Sequence, residues 1–341
     1  MLHIFSYIVL YPVSLIYQTI LRVRRFLIKR CYPIYQAPIP VIAVGNIAVG
    51  GTGKTPITSY LLSLCEQHEI TSTLISRGYG GKGRRYPFSV KEDCNPRVVG
   101  DEPCMLAKVH RDTSIIVDPK RKRAMLYALT HMKPECFILD DAMQHIYVAR
   151  DINIVILTLQ DILNGWNRIL PFGRWREHMS ALKDATLFCI RASQEEWNTH
   201  RLAVEKRIAV YKKPIYSFHV EICGIHRVSD NSSVNVSGEY SIVCGIGTPQ
   251  SFYNSVTEYL GYRPKEYFYC SDHASQEELL HAIMQCTTST IICTAKDMVK
   301  LNHTEYAKEL VYANAQCVFG DMLYTQESFD EYCKRILIRV K

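Results

Sequence analysis

Apolar residues in this 341-residue chain fall mainly into short uninterrupted runs, separated by polar and glycine-rich stretches. One run occupies residues 41–44 and ends at Gly45; further mostly apolar stretches occupy 114–117, 136–139, 152–157 and 185–190, and 70–75 is a strand candidate with Thr71, Ser72 and Thr73 inside it. Runs of this length bounded by turn residues predict strands buried on both faces. Residues 56–65 and 120–131 read as helices between them. Strands alternating with helices predict a mostly parallel sheet in an α/β domain. Residues 77–85 are rich in glycine and basic residues and read as a loop. The pattern weakens over 195–220, which predicts a connecting region. A second strand–turn–helix run starts at residue 241, passes through Gly245-Ile-Gly247-Thr-Pro249 and continues to residue 260, with a later strand at 290–294.

The composition, 48% hydrophobic and 21% charged, excludes wholesale disorder and low-complexity tracts. The formal charge of +7 is concentrated at one end: Arg22, Arg24, Arg25, Lys29 and Arg30 precede the first acid of the chain, Glu66. A nucleic-acid footprint would instead be spread over a folded face. Residues 4–21 carry no charge, a length at the lower edge of a spanning helix. No small-residue cleavage site follows, so a secretory signal is disfavoured. Pro12, Ser6, Ser14, Gln18 and Thr19 interrupt a clean span, and Tyr7, Tyr11 and Tyr17 suit the headgroup level. A buried core helix is one reading. A cytoplasmic-leaflet anchor, spanning or lying in the leaflet, is favoured by the basic cluster behind it. The 13 cysteines are odd in number and scattered, with no CxxC pair, which argues against a disulfide framework or a zinc site.

Gly50-Gly51-Thr52-Gly53-Lys54-Thr55 lies between a predicted strand and a predicted helix, where a phosphate-binding loop belongs. Glycines let backbone N–H groups converge on phosphate oxygens, and the helix start adds the positive end of its dipole. In such a loop Lys54 reaches the β- and γ-phosphates and Thr55 ligates Mg²⁺. Ala48 stands where the standard pattern has its first glycine, and Val49 where partition-type ATPases carry a lysine. A second signal is the apolar strand at 136–139 that ends in Asp140-Asp141. It resembles a metal-holding strand end, although a solvated strand end or helix cap has the same pattern. Gln144 and His145 follow at once. Gly100-Asp101-Glu102-Pro103 is a further acidic pair at a helix start, and by itself reads as a helix cap at least as readily as a catalyst. Nothing in the local sequence marks His273 as catalytic.

With these motifs in view, the chain strongly resembles the tetraacyldisaccharide 4′-kinases, the lipid A 4′-kinases, over nearly its whole length. The resemblance rests on an apolar N-terminal helix with basic residues, then Val44-Gly-Asn-Ile-Ala-Val-Gly-Gly-Thr-Gly-Lys-Thr-Pro56, Ser76-Arg-Gly-Tyr-Gly80 and Gly100-Asp-Glu-Pro103. Leu139-Asp-Asp-Ala-Met-Gln-His145, Ala149-Arg-Asp151 and Leu170-Pro-Phe-Gly-Arg-Trp-Arg-Glu177 follow. Gly245-Ile-Gly-Thr-Pro249, Asp272-His273 and Thr294-Ala-Lys-Asp297 complete the series. Each motif alone is weak, but their order and spacing are specific. Ala142, Ala295, Phe172 and the absence of a second histidine after His273 depart from the family pattern. The resemblance implies transfer of the γ-phosphate of ATP to the 4′-hydroxyl of tetraacyldisaccharide 1-phosphate, forming lipid IVA. It implies ATP and Mg²⁺ as cofactors and a site at the cytoplasmic face of the inner membrane. Ala48, Val49, Gly50, Gly51, Thr52, Gly53, Lys54 and Thr55 would form the nucleotide loop. Asp101 would be the general base, supported by His273, and Thr55, Glu102, Asp140 and Asp141 would lie at the metal. Arg77, Tyr79, Arg121, Gln144, His145 and Arg176 would face the acceptor.

The expected organisation is therefore a membrane-anchoring helix and basic segment at 1–30, a P-loop-type kinase domain at 31–194, a connecting region at 195–235, and a smaller C-terminal α/β domain at 236–341. The expected partners are the acylated disaccharide and an anionic membrane surface, with no nucleic acid and no obligate protein partner evident. Two rivals are an ATPase switch that transfers nothing, which the absence of lysine at Val49 opposes, and a soluble small-molecule kinase, which residues 1–30 oppose.

Overall fold

The computed structural model describes residues 9–83 and 85–337. Along the chain its strands are β1 (Val41–Asn46), β2 (Ser72–Ser76), β3 (Phe88–Val90), β4 (Ser114–Val117), β5 (Cys136–Leu139), β6 (Ile152–Thr158), β7 (Leu187–Arg191), β8 (Ile215–Arg227), β9 (Tyr240–Cys244), β10 (Glu266–Tyr269), β11 (Thr290–Thr294) and β12 (Leu310–Leu323). The chain divides into two compact units. The first comprises Met1–Arg77, Asp112–His219 and Val318–Lys341, and the second Gly78–Arg111 and Val220–Cys317.

This division differs from the contiguous one expected from the sequence. Residues 78–111 belong to the second unit, and the end of the chain belongs to the first. What a segment packs against decides its membership. Helix Asp101–Val109 packs on helix Ala295–Leu301, far away in sequence. Phe329, which opens helix Phe329–Leu337, stacks on Phe319 with ring centroids 3.9 Å apart and meets Tyr216 edge-on.

In the first unit the strand order is β12-β8-β7-β6-β1-β5-β2-β4, and the pairings from β8 to β4 are parallel. All six residues of β1 are buried, because it has a strand on each side: Ile42 pairs with Ile138 of β5 and with Ile152 of β6. The next strand in sequence, β2, lies beyond β5. The sheet therefore changes winding direction at β1, and a parallel sheet holds its ligand at the carboxyl ends of the strands at such a point. Those ends lead into the 47–53 turn and into Asp140-Asp141.

The expected connecting region at 195–235 is mostly a helix and a strand, with loop at 212–214 and from residue 228 onward. Helix Gln194–Ile208 is closed at its start by a capping box between Ser193 and Glu196, and β8 follows it. Its sequence is polar, and it is held by only three buried anchors, Trp197, Val204 and Ile208. So sparse an apolar face leaves little periodic signal.

Helix Tyr11–Cys31 lies on the first unit through Ser14, Leu21 and Ile28. Ser14 Oγ donates to the Ile169 carbonyl at 2.9 Å. The basic residues do not all face outward. Arg25 pairs with Asp184 and stands 3.7 Å from Glu177, Lys29 donates to Asp184 at 2.7 Å, and Arg22 meets His178. Burial, followed by Arg22, pushes the His178 imidazole down to about 4. Burial raises Glu177 despite Arg25, whereas hydrogen bonds from Lys29 and Arg25 overcome the burial of Asp184 and hold it low. Arg22 and Arg25 therefore secure the helix to the protein, a correction to reading the whole cluster as a headgroup contact. Among the described residues no helix is long and apolar enough to cross a membrane. Residues 4–8 of the charge-free stretch lie outside the described residues.

The second unit has its own parallel order, β10-β9-β11-β12, over a core that includes Tyr240, Ile242, Val256, Ile292 and Val311. A disulfide joins Cys94 to Cys104 in this unit, with Cα atoms 6.1 Å apart. Scattered cysteine spacing did not predict it, since a loop and a helix start bring the pair together. Cys65, Cys136, Cys189, Cys244, Cys293, Cys317 and Cys333 are buried thiols.

Candidate active site

The turn after β1 delivers helix Lys54–Gln67. Gly53 precedes the helix with φ of 98° and offers no side-chain cap, so the first N–H groups of the helix carry no side-chain acceptor from it. A Cβ at Gly53 would lie 3.1 Å from the Phe218 ring, so both conformation and space require glycine there. Lys54 Nζ donates to Asn46 Oδ1 at 3.2 Å and stands 3.7 Å from Asp141 Oδ1. Asn46 Nδ2 donates to the Ala48 carbonyl and to Thr52 Oγ1, at 2.7 and 2.8 Å. Arg176 reaches the same point, 3.0 Å from Asp141 Oδ1 and hydrogen-bonded to Asn46 Oδ1. Arg174 and Arg191 hold the loop from outside, donating to the carbonyls of Val49 and Gly51 at 2.8 and 3.0 Å. The predicted Lys54 and Arg176 thus meet at Asp141, and Asn46 Oδ1 accepts from both cations. Nothing in the local sequence marks Asn46 for this position.

Asp140 is buried at the end of β5, and Ser76 Oγ donates to it at 3.3 Å. Asp141 follows with φ of 45°, an uncommon conformation for a residue with a side chain. Strained backbone of this kind clusters at functional sites. Burial alone would raise the Asp141 carboxyl. The hydrogen bond from Arg176 and the charges of Lys54, Arg176 and Arg121 outweigh burial and hold it below the ordinary carboxylate range. Arg150, to which the sequence reading gave no role, secures the 140–145 turn from below by donating to the carbonyls of Ala142 and His145 at 2.5 and 2.6 Å.

Arg121 is placed differently from expectation. It is buried, and its two terminal nitrogens donate to the carbonyls of Asp118 and Asp140 at 2.7 and 2.8 Å. It lies beneath the carboxylates and supports them by charge, with burial pushing its own guanidinium down to about 10. His145 is pushed down to about 3 by burial and by Arg121, Arg77 and Arg150, so it is neutral at pH 7. Gln144 presents a buried amide nitrogen with no hydrogen-bond partner. Arg77 is exposed at the end of this unit's first segment.

In the second unit, helix Asp101–Val109 begins at Asp101 itself. Gly100 is the capping position, with φ of 96°, and a Cβ there would lie 2.5 Å from the Tyr79 carbonyl. Asp101 is therefore not the helix cap that its sequence equally suggested. It and Glu102 occupy the first turn. His273, with φ of 63°, brings Nδ1 to 3.6 Å from Asp101 Oδ2. Tyr79, 76% exposed, stands with its ring 6.1 Å from that of His273. Asp101, His273, Tyr79, Lys300 and His303 line one cavity of about 840 Å³. The turn Gly245–Pro249 differs from the glycine turn after β1, because the buried Asp297 carboxylate takes the Gly245 N–H at 2.9 Å.

These two sites can be set beside known proteins. The family model for the tetraacyldisaccharide-1-P 4′-kinase, LpxK, matches residues 6–334. A tetraacyldisaccharide 4′-kinase of Nitratidesulfovibrio vulgaris is 36% identical over 327 residues, covering 95% of this chain and 92% of that protein. One from Legionella pneumophila, strain Corby, is 32% identical over 321 residues, covering 93% and 91%. A crystal structure described as the "apo" form of LpxK from Aquifex aeolicus in complex with ATP superposes with a TM-score of 0.76 at 28% identity, covering 97% of this chain and 98% of that one. Agreement over nearly the full length, in sequence and in fold, places this chain in the tetraacyldisaccharide-1-P 4′-kinase family.

Proposed function

We propose that this chain transfers the γ-phosphate of ATP to the 4′-hydroxyl of a tetraacylated glucosamine disaccharide 1-phosphate, giving lipid IVA. The observation that carries this reading is the glycine turn whose Lys54 meets Asp141 and Arg176 around Asn46. The loop of residues 48–55 would cradle the phosphates through its N–H groups. Space favours this, since nothing lies within 4 Å of where a Cβ on Gly51 would stand. Lys54 and Arg176 offset the charge that grows on the transferring phosphoryl group.

Thr55, Asp140 and Asp141 are the residues proposed to hold Mg²⁺, which when bound would draw off phosphate charge. Among the described residues no group of three or more His, Cys, Asp or Glu forms a metal cage. The donor set suits a cation that keeps water and phosphate as most of its ligands. Asp101 takes the proton of the acceptor hydroxyl, and His273 orients it. Gln144, neutral His145 and Arg77 are proposed to face the acceptor. A buried donor such as the Gln144 amide costs free energy until a ligand meets it.

Helix Tyr11–Cys31 is proposed as the contact with the cytoplasmic face of the inner membrane. Val13, Ile16, Ile20, Val23 and Leu27 form an exposed apolar stripe at helical spacing, with Ile16 63% and Phe26 64% exposed. The exposed Arg24 and Arg30 add roughly 1 kcal/mol each on an anionic surface. Ile16→Asp with Ile20→Asp should release the protein from anionic vesicles without disturbing Arg25 or Leu21. Sedimentation of this variant with vesicles at the wild-type level would move the membrane contact elsewhere.

The function itself is tested with purified protein, labelled ATP, Mg²⁺ and the acylated disaccharide 1-phosphate. The expected product carries the new phosphate at the 4′ position. ATP hydrolysis indifferent to the acceptor, or equal transfer to a water-soluble alcohol, would overturn the reading.

A further inference from the structure

Helix Ala295–Leu301 is locked at its start. Thr294 Oγ1 donates to Asp297 Oδ2 at 2.7 Å and accepts from Asp297 N at 3.1 Å, while Gly245 N donates to the same Oδ2 at 2.9 Å. One turn further on, Lys300 extends to Asp101. Its Nζ lies 2.9 Å from Asp101 Oδ2 and donates to the Ala274 carbonyl, also at 2.9 Å. The Lys300 side chain is 10% exposed and that of Asp101 18%. Ala274 follows His273, whose Nδ1 stands 3.6 Å from the same Oδ2.

An exposed ion pair between flexible side chains holds little in place. Lys300 is not of that kind, because its stem is covered, its helix is fixed at the other end by Asp297, and its ammonium has a backbone carbonyl as a second acceptor. We propose that Lys300 is a positioning residue for the Asp101 carboxylate. With one ammonium it pins Oδ2 of Asp101 and the backbone next to His273, so that carboxylate and imidazole keep one relative geometry. Oδ1 is then the oxygen that receives the proton of the acceptor hydroxyl as the new O–P bond forms and the bond to the leaving ADP breaks. Lys300 neither gives nor takes a proton in that step. The proposal rests on the reading of Asp101 as general base.

The test compares Lys300→Met, Lys300→Gln, Lys300→Arg and Asp101→Asn in full-length protein, with ATP varied and the acylated disaccharide 1-phosphate saturating. Lys300→Met should lower kcat about 100-fold, the scale of a small misplacement of a reacting group, with the KM for ATP nearly unchanged. Lys300→Arg should recover most of that loss, since a guanidinium reaches the same two oxygens while keeping the charge. Lys300→Met added to Asp101→Asn should cost little more, because the group it positions is already gone. If Asp101→Asn lowers kcat and a folded Lys300→Met does not, the proposal fails and Lys300 is a structural tie. If Lys300→Met unfolds, a folded Lys300→Gln with wild-type kcat overturns it equally. Wild-type kcat in Asp101→Asn would instead remove the base assignment on which it stands.

Discussion

Lys54→Ala is expected to lower phosphoryl transfer about 100- to 1,000-fold while leaving the fold intact, the range found when one preorganised charge donor is removed from a reaction centre. Lys54 is partly accessible and is not among the buried core residues. Its ammonium is already placed beside Asn46 and Asp141, so little reorganisation is needed for it to face a phosphate. Removing it also leaves Asp141 with Arg176 as its one direct ion-pair partner among the described residues. Mg²⁺ and nucleotide titrations should therefore change together with kcat. Initial rates with labelled ATP, beside thermal unfolding of the same protein, make the measurement. A folded Lys54→Ala enzyme with near wild-type turnover would falsify the assignment of this turn as the phosphate site.

The second large effect is expected at Asp101 and His273. Asp101→Asn and His273→Ala should each lower kcat by roughly 10²–10⁴-fold, the usual share of a positioned general base. ATP affinity should change little, because neither residue lies in the glycine turn. The two losses should combine to much less than their product, since a base and the group that orients it fail as one unit. The structure removes the main competing explanation for Asp101. Had it capped its helix, the Asn variant would have kept the cap, and Ala would have cost about 1 kcal/mol. Gly100 holds that position instead, and no side-chain cap bond is made there. If kcat survives in Asp101→Asn, the base has to be sought at Asp140 or Asp141. Full multiplicativity of the two single effects would show that His273 acts independently of Asp101.

Several features of this protein follow from the sequence by itself. Strands β1, β4, β5 and β11 announce themselves because each is built on a short apolar run, at 41–44, 115–117, 136–139 and 291–293. A strand covered on both faces needs no alternation, so burial and sequence pattern coincide. The glycine turn proposed to hold the phosphates is legible for the same kind of reason, since its glycines, lysine and threonine lie within a few residues of one another. Asp140-Asp141 is legible because a strand end places its neighbours directly. Other features depend on contacts between residues far apart, and these only the tertiary structure decides. Helix Gln194–Ile208 rests on three anchors and a cap, too few for a periodic signal. Residues 78–111 join the second unit because helix Asp101–Val109 packs on a helix nearly 200 residues away. Arg121 turns inward and Arg25 pairs with Glu177 and Asp184, because charge is directed by the neighbours a fold supplies and not by sequence. Lys300 carries no mark in the chain. Its place beside Asp101 exists only once Asp297 has fixed its helix and two distant segments have met, and a contact of that kind leaves no trace in a single sequence.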